Sequence, residues 1–466
     1  MRRPQRMSGL DASFLSLETA TQPLQVISVL ELNTATIPGG YRYDRFLHDL
    51  SVRLRAMPAF REKPSDSFLN LDHPIWVADG DLDVDRHVHR IGLPAPGGRA
   101  EFVEVCGYLA GLPLDRRRSM WEIWVIEGHQ SLDGGSLDPK RLAVMIKVHH
   151  AAADGVTFAK MLSQLCSMEP DPPPPDPVEA TPEANPLTIA ISGLARFASR
   201  PVYLVVKLLP ATVRAVVDTI RRATAGRAMA APFAAPRTVL NGRLTPDRKV
   251  AFARLDLDGV KKVKNHFGVK VNDVVMALAG GVVRQFLLDR GELPGSSLIA
   301  LVPVAVHEIS DRQERNQVSG MYCRLQTQIA DPAERLRAIA PANTIAKEHS
   351  SAIGEKLLQD WGQIIGPVLL GVAKRVYARL TQFRPMYNVV LSNVPGPQAR
   401  YFLGAEISAM YPLGPVLHGA GLNITLWSIN GILHLGLISC EELLPDPCSL
   451  ADGFVAGLNE LLAEID

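Results

Sequence analysis

His149 and His150, followed after three alanines by Asp154 and Gly155, are the residues here whose types and spacing could do chemistry. A neutral imidazole can take a proton from a hydroxyl near neutral pH. The pair follows the apolar run Leu142 to Val148 and precedes an amphipathic stretch from Val156 to Cys166. A strand, a tight turn and a helix in that order would hold one ring rigidly at a domain edge. Adjacent residues on a strand point to opposite faces, so one histidine would do chemistry while the other packs or hydrogen-bonds. On their own the two rings could equally be satisfied core residues. With Asp154 they could supply three metal ligands, but opposed faces and no other clustered ligands speak against that.

The elements that position this turn belong to a long chain. At 466 residues, two domains are the expectation. The 49 basic and 48 acidic residues nearly cancel, which leaves no global positive field for nucleic acid. Cys106, Cys166, Cys323, Cys440 and Cys448 are scattered and odd in number, which reads as buried thiols in a reducing compartment. Arg2, Arg3 and Arg6 are not followed by an apolar signal core, and Met7 is an alternative start. No uncharged apolar run of about 18 residues is present, as a spanning helix would need.

The first block, residues 1–168, carries a strand-like Gln25 to Leu32 and a helix-like Tyr43 to Met57 with Phe46, Leu47, Leu50, Leu54 and Met57 on one face. A Pro-rich linker opens at Glu169, and the intervening block extends over residues 169–235. Within that block, from Leu187 to about Gly226, Arg200, Lys207, Arg214 and Arg221 recur every seven residues among valines and leucines. Two readings stand: a basic amphipathic helix on an anionic lipid surface, or a helix docked on its own protein with a solvated cationic edge.

The second block, residues 236–466, is again mixed. Lys249 to Leu257 and Leu298 to Val306 read as strands, and Asp258 to Phe267 as a helix. Asn272 is an N-cap candidate with Asp273 in the first turn, and Gly280-Gly281 marks a close backbone approach. Asp331-Pro332 and Asp446-Pro447 open further helices. Met386 to Asn393 reads as a strand ending in a turn, and Asn430-Gly431 as a hairpin. The class is α/β or α+β.

In their order, these motifs resemble the bacterial wax ester synthase/diacylglycerol acyltransferase family over nearly the full length. The resemblance rests on Met7 to Phe14, His149-His150-x-x-x-Asp154-Gly155, Thr238 to Gly242, Asn272-Asp273, Val302-Pro303-Val304, Asn316 to Gly320 and Ser392 to Pro397. It implies the two-domain chloramphenicol acetyltransferase-like fold of CoA-dependent acyltransferases, with an active-site channel between the halves. It implies His150 as general base, His149 as its support, Asp154 as a structural group paired with a cation, and Gly155 as the source of freedom in the turn. Asn272, Asp273, Asn393 and Trp121 become candidate substrate contacts, although Asn272 also reads as a helix cap and Trp121 as core.

The chain departs from the family at Ser119-Met120, where Pro-Leu precedes the tryptophan in many members, and at Ala305-Val306-His307. No serine or cysteine has a nucleophile's setting, so direct transfer is expected. No cofactor is expected beyond acyl-CoA as co-substrate, and the acceptor is expected to be diacylglycerol or a fatty alcohol. The expected place is the cytoplasm, peripheral to the membrane's inner face or to lipid droplets. Two other readings are a condensation-type domain, which shares the His-His signature, and a non-catalytic acyl-CoA or lipid-droplet binder.

Overall fold

Gln25–Asn33 is buried at every position but Asn33, and Arg141–His149 at every position but Arg141. Strands this apolar on both faces must lie inside a sheet covered on each side. The computed structural model describes residues 5–66, 72–80, 82–128, 141–173, 175–176, 186–305, 318–364, 376–377, 379–381 and 383–465. The first half runs β1 (Gln5–Arg6), α1 (Gly9–Leu17), β2 (Gln25–Asn33), α2 (Tyr43–Ala56), β3 (Glu62–Ser65), β4 (Ile75–Ala78), β5 (Val88–Gly92), α3 (Arg99–Gly111), β6 (Trp121–Glu127), β7 (Arg141–His149), α4 (Gly155–Leu165) and β8 (Cys166–Ser167). The helices α5 (Pro186–Tyr203) and α6 (Leu209–Thr224) follow, joined by a π-helical stretch at Leu204–Leu208.

The second half runs β9 (Arg248–Asp256), α7 (Leu257–Phe267), α8 (Val271–Leu288), β10 (Ile299–Ala305), β11 (Val318–Arg324), α9 (Pro332–Ile353) and α10 (Glu355–Ile364). It ends with β12 (Val389–Pro395), β13 (Tyr401–Phe402), β14 (Ala405–Leu413), β15 (Leu422–Ile429), β16 (Ile432–Cys440) and α11 (Cys448–Ala463). The architecture is a mixed α/β fold in two halves.

Among the described residues the larger sheet has the order β5-β6-β7-β2-β14-β13-β8, and the second β11-β10-β12-β15-β16-β9. The first sheet is therefore completed by strands from the second half. β14 lies antiparallel to β2 from Glu406 opposite Asn33 to Leu413 opposite Ile27. An apolar seam of Phe102, Met145, Val250, Phe252, Tyr411 and Ile438 joins α3 and the first sheet to β9 and β16.

Sequence expectations and structure part company at a few points. Asn272 is not the cap of α8: Lys270 holds that position, and Asp273 reaches back to accept its backbone N–H at 2.9 Å. The strand expected to end at Asn393 begins later and runs on through Pro395, so Val394 and Pro395 are strand residues paired to β15. Gly280 is a close-approach site, because a Cβ there would collide with the Leu325 carbonyl. Asn430-Gly431 turns with positive φ at both residues, +48° and +81°, as a tight hairpin requires. Among the described residues α8 alone is long and apolar enough to cross a membrane, yet it is buried along most of its length as the core helix of the second half. Residues 306–317, including His307, Asn316 and Gln317, and most of the Pro-rich linker lie outside the described residues.

Candidate active site

The turn after β7 is held from below by the strand and from above by α4. His149 is the last residue of β7 and is fully buried; its N–H donates to the Met120 carbonyl at 3.0 Å. His150 lies just beyond the strand, half-buried, with its N–H donating to the Leu24 carbonyl at 2.8 Å. Asp154 is the N-cap of α4: its Oδ1 accepts from the Thr157 N–H at 2.7 Å, meeting a donor the helix cannot satisfy itself. Gly155 is the first helical residue and has no positive φ, so the backbone freedom expected of it is not used. What it offers is smallness, because a Cβ there would rest on Val394 of β12 at 3.5 Å. The histidine turn therefore sits where a strand end of the second half meets the first.

The two rings are oriented by α1 and its sequel. His149 Nδ1 accepts from the Ala151 N–H at 3.0 Å, which puts the ring proton on Nε2. That nitrogen faces Glu18 Oε2 at 3.4 Å. Glu18 also accepts from Arg116 Nε at 2.7 Å and from the Leu24 N–H at 3.1 Å. Burial alone would raise the Glu18 carboxyl, but His149, Arg116 and the Leu24 amide outweigh it and bring its pKa down to about 2. His150 stacks on Phe14, with ring centroids 4.1 Å apart and planes at 22°. A stacked imidazole uses its face for packing and keeps both nitrogens on its edge, where proton transfer takes place.

Sequence reasoning missed Glu18, Arg116 and Phe14 as partners of the pair. A visible signal for Phe14 was its place in the Met7 to Phe14 motif. Ser8 and Asp11 close a reciprocal capping box that starts α1 there. Gly9 lets α1 cross α10 at Gly362, where any Cβ would collide with backbone. That crossing fixes the helix that carries Phe14 against the second half.

The remaining candidates divide. Trp121 is core rather than a substrate contact: its ring is buried, Nε1 donates to the Phe60 carbonyl at 2.9 Å, and it stacks on His87 at 4.4 Å. Asp273 is committed to the α8 cap and accepts from Asn343 Nδ2 of α9 at 2.8 Å. Asn272 lies half-buried on α8, with Nδ2 against the Met276 sulfur at 3.6 Å. Asn393 is half-buried on the part of β12 that runs to Gly155. Ser119 explains one departure, since both its N–H and its hydroxyl donate to buried Asp79 Oδ2, at 2.8 and 2.9 Å. A proline there could supply neither donor.

A cavity of about 330 Å³ is lined by Tyr41, Arg45, His48, Arg53, Pro172 and Leu403 among others, and by neither His149 nor His150. Among the described residues no group of histidine, cysteine and carboxylate side chains has the spacing of a metal site.

Comparison with known proteins bears on this geometry. The family described as the wax ester synthase/diacylglycerol acyltransferase catalytic domain matches residues 7–275, and its C-terminal domain matches residues 315–462. A Mycobacterium tuberculosis protein provisionally named a diacylglycerol O-acyltransferase is 53% identical over 460 residues, covering 98% of this chain and 90% of its own. A Mycobacterium bovis protein with the same provisional name is 34% identical, covering 96% of this chain and 88% of its own. The solved wax ester synthase/diacylglycerol acyltransferase from Marinobacter aquaeolei VT8 superposes with a TM-score of 0.69 at 27% identity, over 99% of both chains. The first condensation domain of the calcium-dependent antibiotic synthetase superposes at 0.58 with 15% identity, over 99% of this chain and 97% of its own, a likeness of fold alone.

Proposed function

The chain belongs to the wax ester synthase/diacylglycerol acyltransferase family and is an acyltransferase, and we propose that it moves a fatty acyl group from acyl-CoA to the free hydroxyl of diacylglycerol, and to long-chain alcohols, with His150 as general base. The observation that carries this reading is the half-buried His150 ring, stacked face-on against Phe14 beside the meeting point of the two halves.

An alcohol attacks a thioester slowly because its proton stays on oxygen. In the proposed reaction neutral His150 accepts that proton as the oxygen bonds to the thioester carbon. The carbonyl oxygen becomes an oxyanion, the C–S bond breaks, and the imidazolium returns the proton to the departing CoA sulfur. General-base assistance of this kind contributes about 10²–10⁴-fold. His149 does not face the acceptor in this scheme. Glu18 and the Ala151 amide hold it in one tautomer, and it anchors the turn from inside. Cys166 and Cys323 are poor candidates for a covalent intermediate, since burial pushes both thiols up to about 12.

The test is a product analysis. Purified protein is incubated with labelled acyl-CoA and a panel of diacylglycerol, fatty alcohol and amine acceptors. Labelled triacylglycerol and wax ester with free CoA are expected, and His150→Ala should lose about 10²–10⁴-fold of that turnover while melting normally. Undiminished turnover by the variant refutes the base, and amide products alone refute the acceptor.

A further inference from the structure

The segment from α5 to α6 is packed the wrong way round for a helix in water. Its protein-facing side is polar and small. Arg200 binds Asp72 at 3.0 Å, the Tyr203 hydroxyl meets Asp360 at 3.0 Å, Thr212 accepts from Trp361 Nε1 at 3.0 Å, and Thr219 meets His349 Nε2 at 3.1 Å. Gly193 and Ala215 are buried on this side, and among the described residues of the segment Leu208 is the one large aliphatic side chain that is fully buried. Its outward side is aliphatic: Ile191, Leu194, Val202, Val206, Val213 and Ile220 are 58–71% exposed. An amphipathic helix docked on its own protein does the reverse.

Charge decides what could cover that side. Residues 186–235 hold seven cations and a single acid, Asp218. The seven-residue spacing is not one uninterrupted stripe, because the π-helical stretch at Leu204–Leu208 sits between Arg200 and Arg214. Arg200 is committed to Asp72, while Lys207, Arg214 and Arg221 are exposed. An exposed apolar face with cationic residues along the same helix matches the boundary of an anionic bilayer, where acyl chains lie beneath phosphate headgroups. The same make-up recurs in segment 376–384, where Val376, Leu380 and Phe383 are exposed and Arg379 and Arg384 flank them.

We propose that the outward face of α5 and α6 seats the protein on an anionic phospholipid surface, with the valines and leucines among the upper acyl chains and Lys207, Arg214 and Arg221 at the phosphates. This adds the place of attachment to the acyl-transfer reading without resting on it, because attachment is measured with no acyl donor present.

The experiment is flotation of the full chain with vesicles of phosphatidylcholine alone or mixed with phosphatidylglycerol. The protein is expected to float with the mixed vesicles and to lose that binding as salt is raised. Val202→Ser/Val206→Ser/Val213→Ser should weaken binding at least about tenfold with an unchanged melting temperature. Lys207→Glu/Arg214→Glu/Arg221→Glu should erase the preference for anionic vesicles. Equal flotation of wild type and both variants overturns the proposal. So does a wild-type dimer that the serine variant converts to monomer, which would assign the face to a second copy. A lowered melting temperature with unchanged flotation also overturns it, since the face would then be covered by this chain itself.

Discussion

The histidine turn and the α5–α6 segment answer the same question, where polar atoms go, in opposite ways. Around the turn, apolar strands are buried and polar groups are paired inside: Glu18 meets Arg116, His149 and Leu24, and Asp154 meets Thr157. Along α5 and α6 the polar groups are satisfied inside and the aliphatic ones are left outside. Both stretches look amphipathic in sequence. The difference teaches that hydrophobic pattern gives the existence of a face, and only contacts tell which medium that face is made for.

The contrast is most sharply tested by putting the same charge on each side. Val144→Asp, in the fully buried middle of β7, would place a carboxylate among aliphatic neighbours at a cost of several kcal/mol. Insoluble or unfolded protein is the expected outcome, read by circular dichroism. A soluble Val144→Asp protein with a normal melting curve would break the claim that this sheet is sealed.

Next in size is Glu18→Gln, which keeps the shape but removes the charge between His149 and Arg116. About 1–3 kcal/mol of stability should be lost, measured by urea unfolding at neutral pH. The pH dependence follows from sign. Glu18 has its pKa lowered in the folded state, from 4.5 to about 2. Its contribution is therefore fully present above pH 4.5 and disappears as pH falls through about 2. The parent should lose more stability across that window than Glu18→Gln; identical acid profiles would remove Glu18 from the electrostatic account.

Smaller again is Asp154→Ala, which deletes the cap of α4 and should cost about 1 kcal/mol, visible as a modest shift in urea midpoint. A shift of several kcal/mol would show that this carboxylate holds more than a helix end. The smallest effect belongs to the other side of the comparison: Val206→Asp should change stability in solution by no more than about 0.5 kcal/mol, because the side chain is 71% exposed. A large loss there would mean that the face is covered after all.

Much of this was legible in the residues. The apolar run into His149 is a strand, and Asn430-Gly431 is the hairpin its dipeptide announces; Asp154 was expected beside a cation, and its place as the cap of α4 was not read. What failed did so for local reasons. Asn272 looked like a cap because asparagine favours that place, but Asp273 at the third helical position does the work by reaching back to Lys270. Trp121 carried two readings and the core one holds, although sequence does not say that a carbonyl at Phe60 awaits its N–H. Glu18 gave no sign, because what makes it matter is Arg116 and His149, both distant along the chain and joined to it only by folding. The orientation of α5 and α6 was likewise hidden, since periodicity marks two faces without saying which is inside.

One feature of the topology constrains how greasy molecules could reach His150. β14, from the second half, is hydrogen-bonded into the first sheet beside β2, the strand that also flanks β7. A ladder of that length works as a rivet: the halves cannot swing apart like jaws without tearing backbone bonds. In the proposed reaction, an acyl chain would therefore enter by side chains and short loops giving way, not by a gaping hinge. The rivet is also made long after β7, so the histidine-bearing half stays an unfinished sheet until β14 has been synthesised.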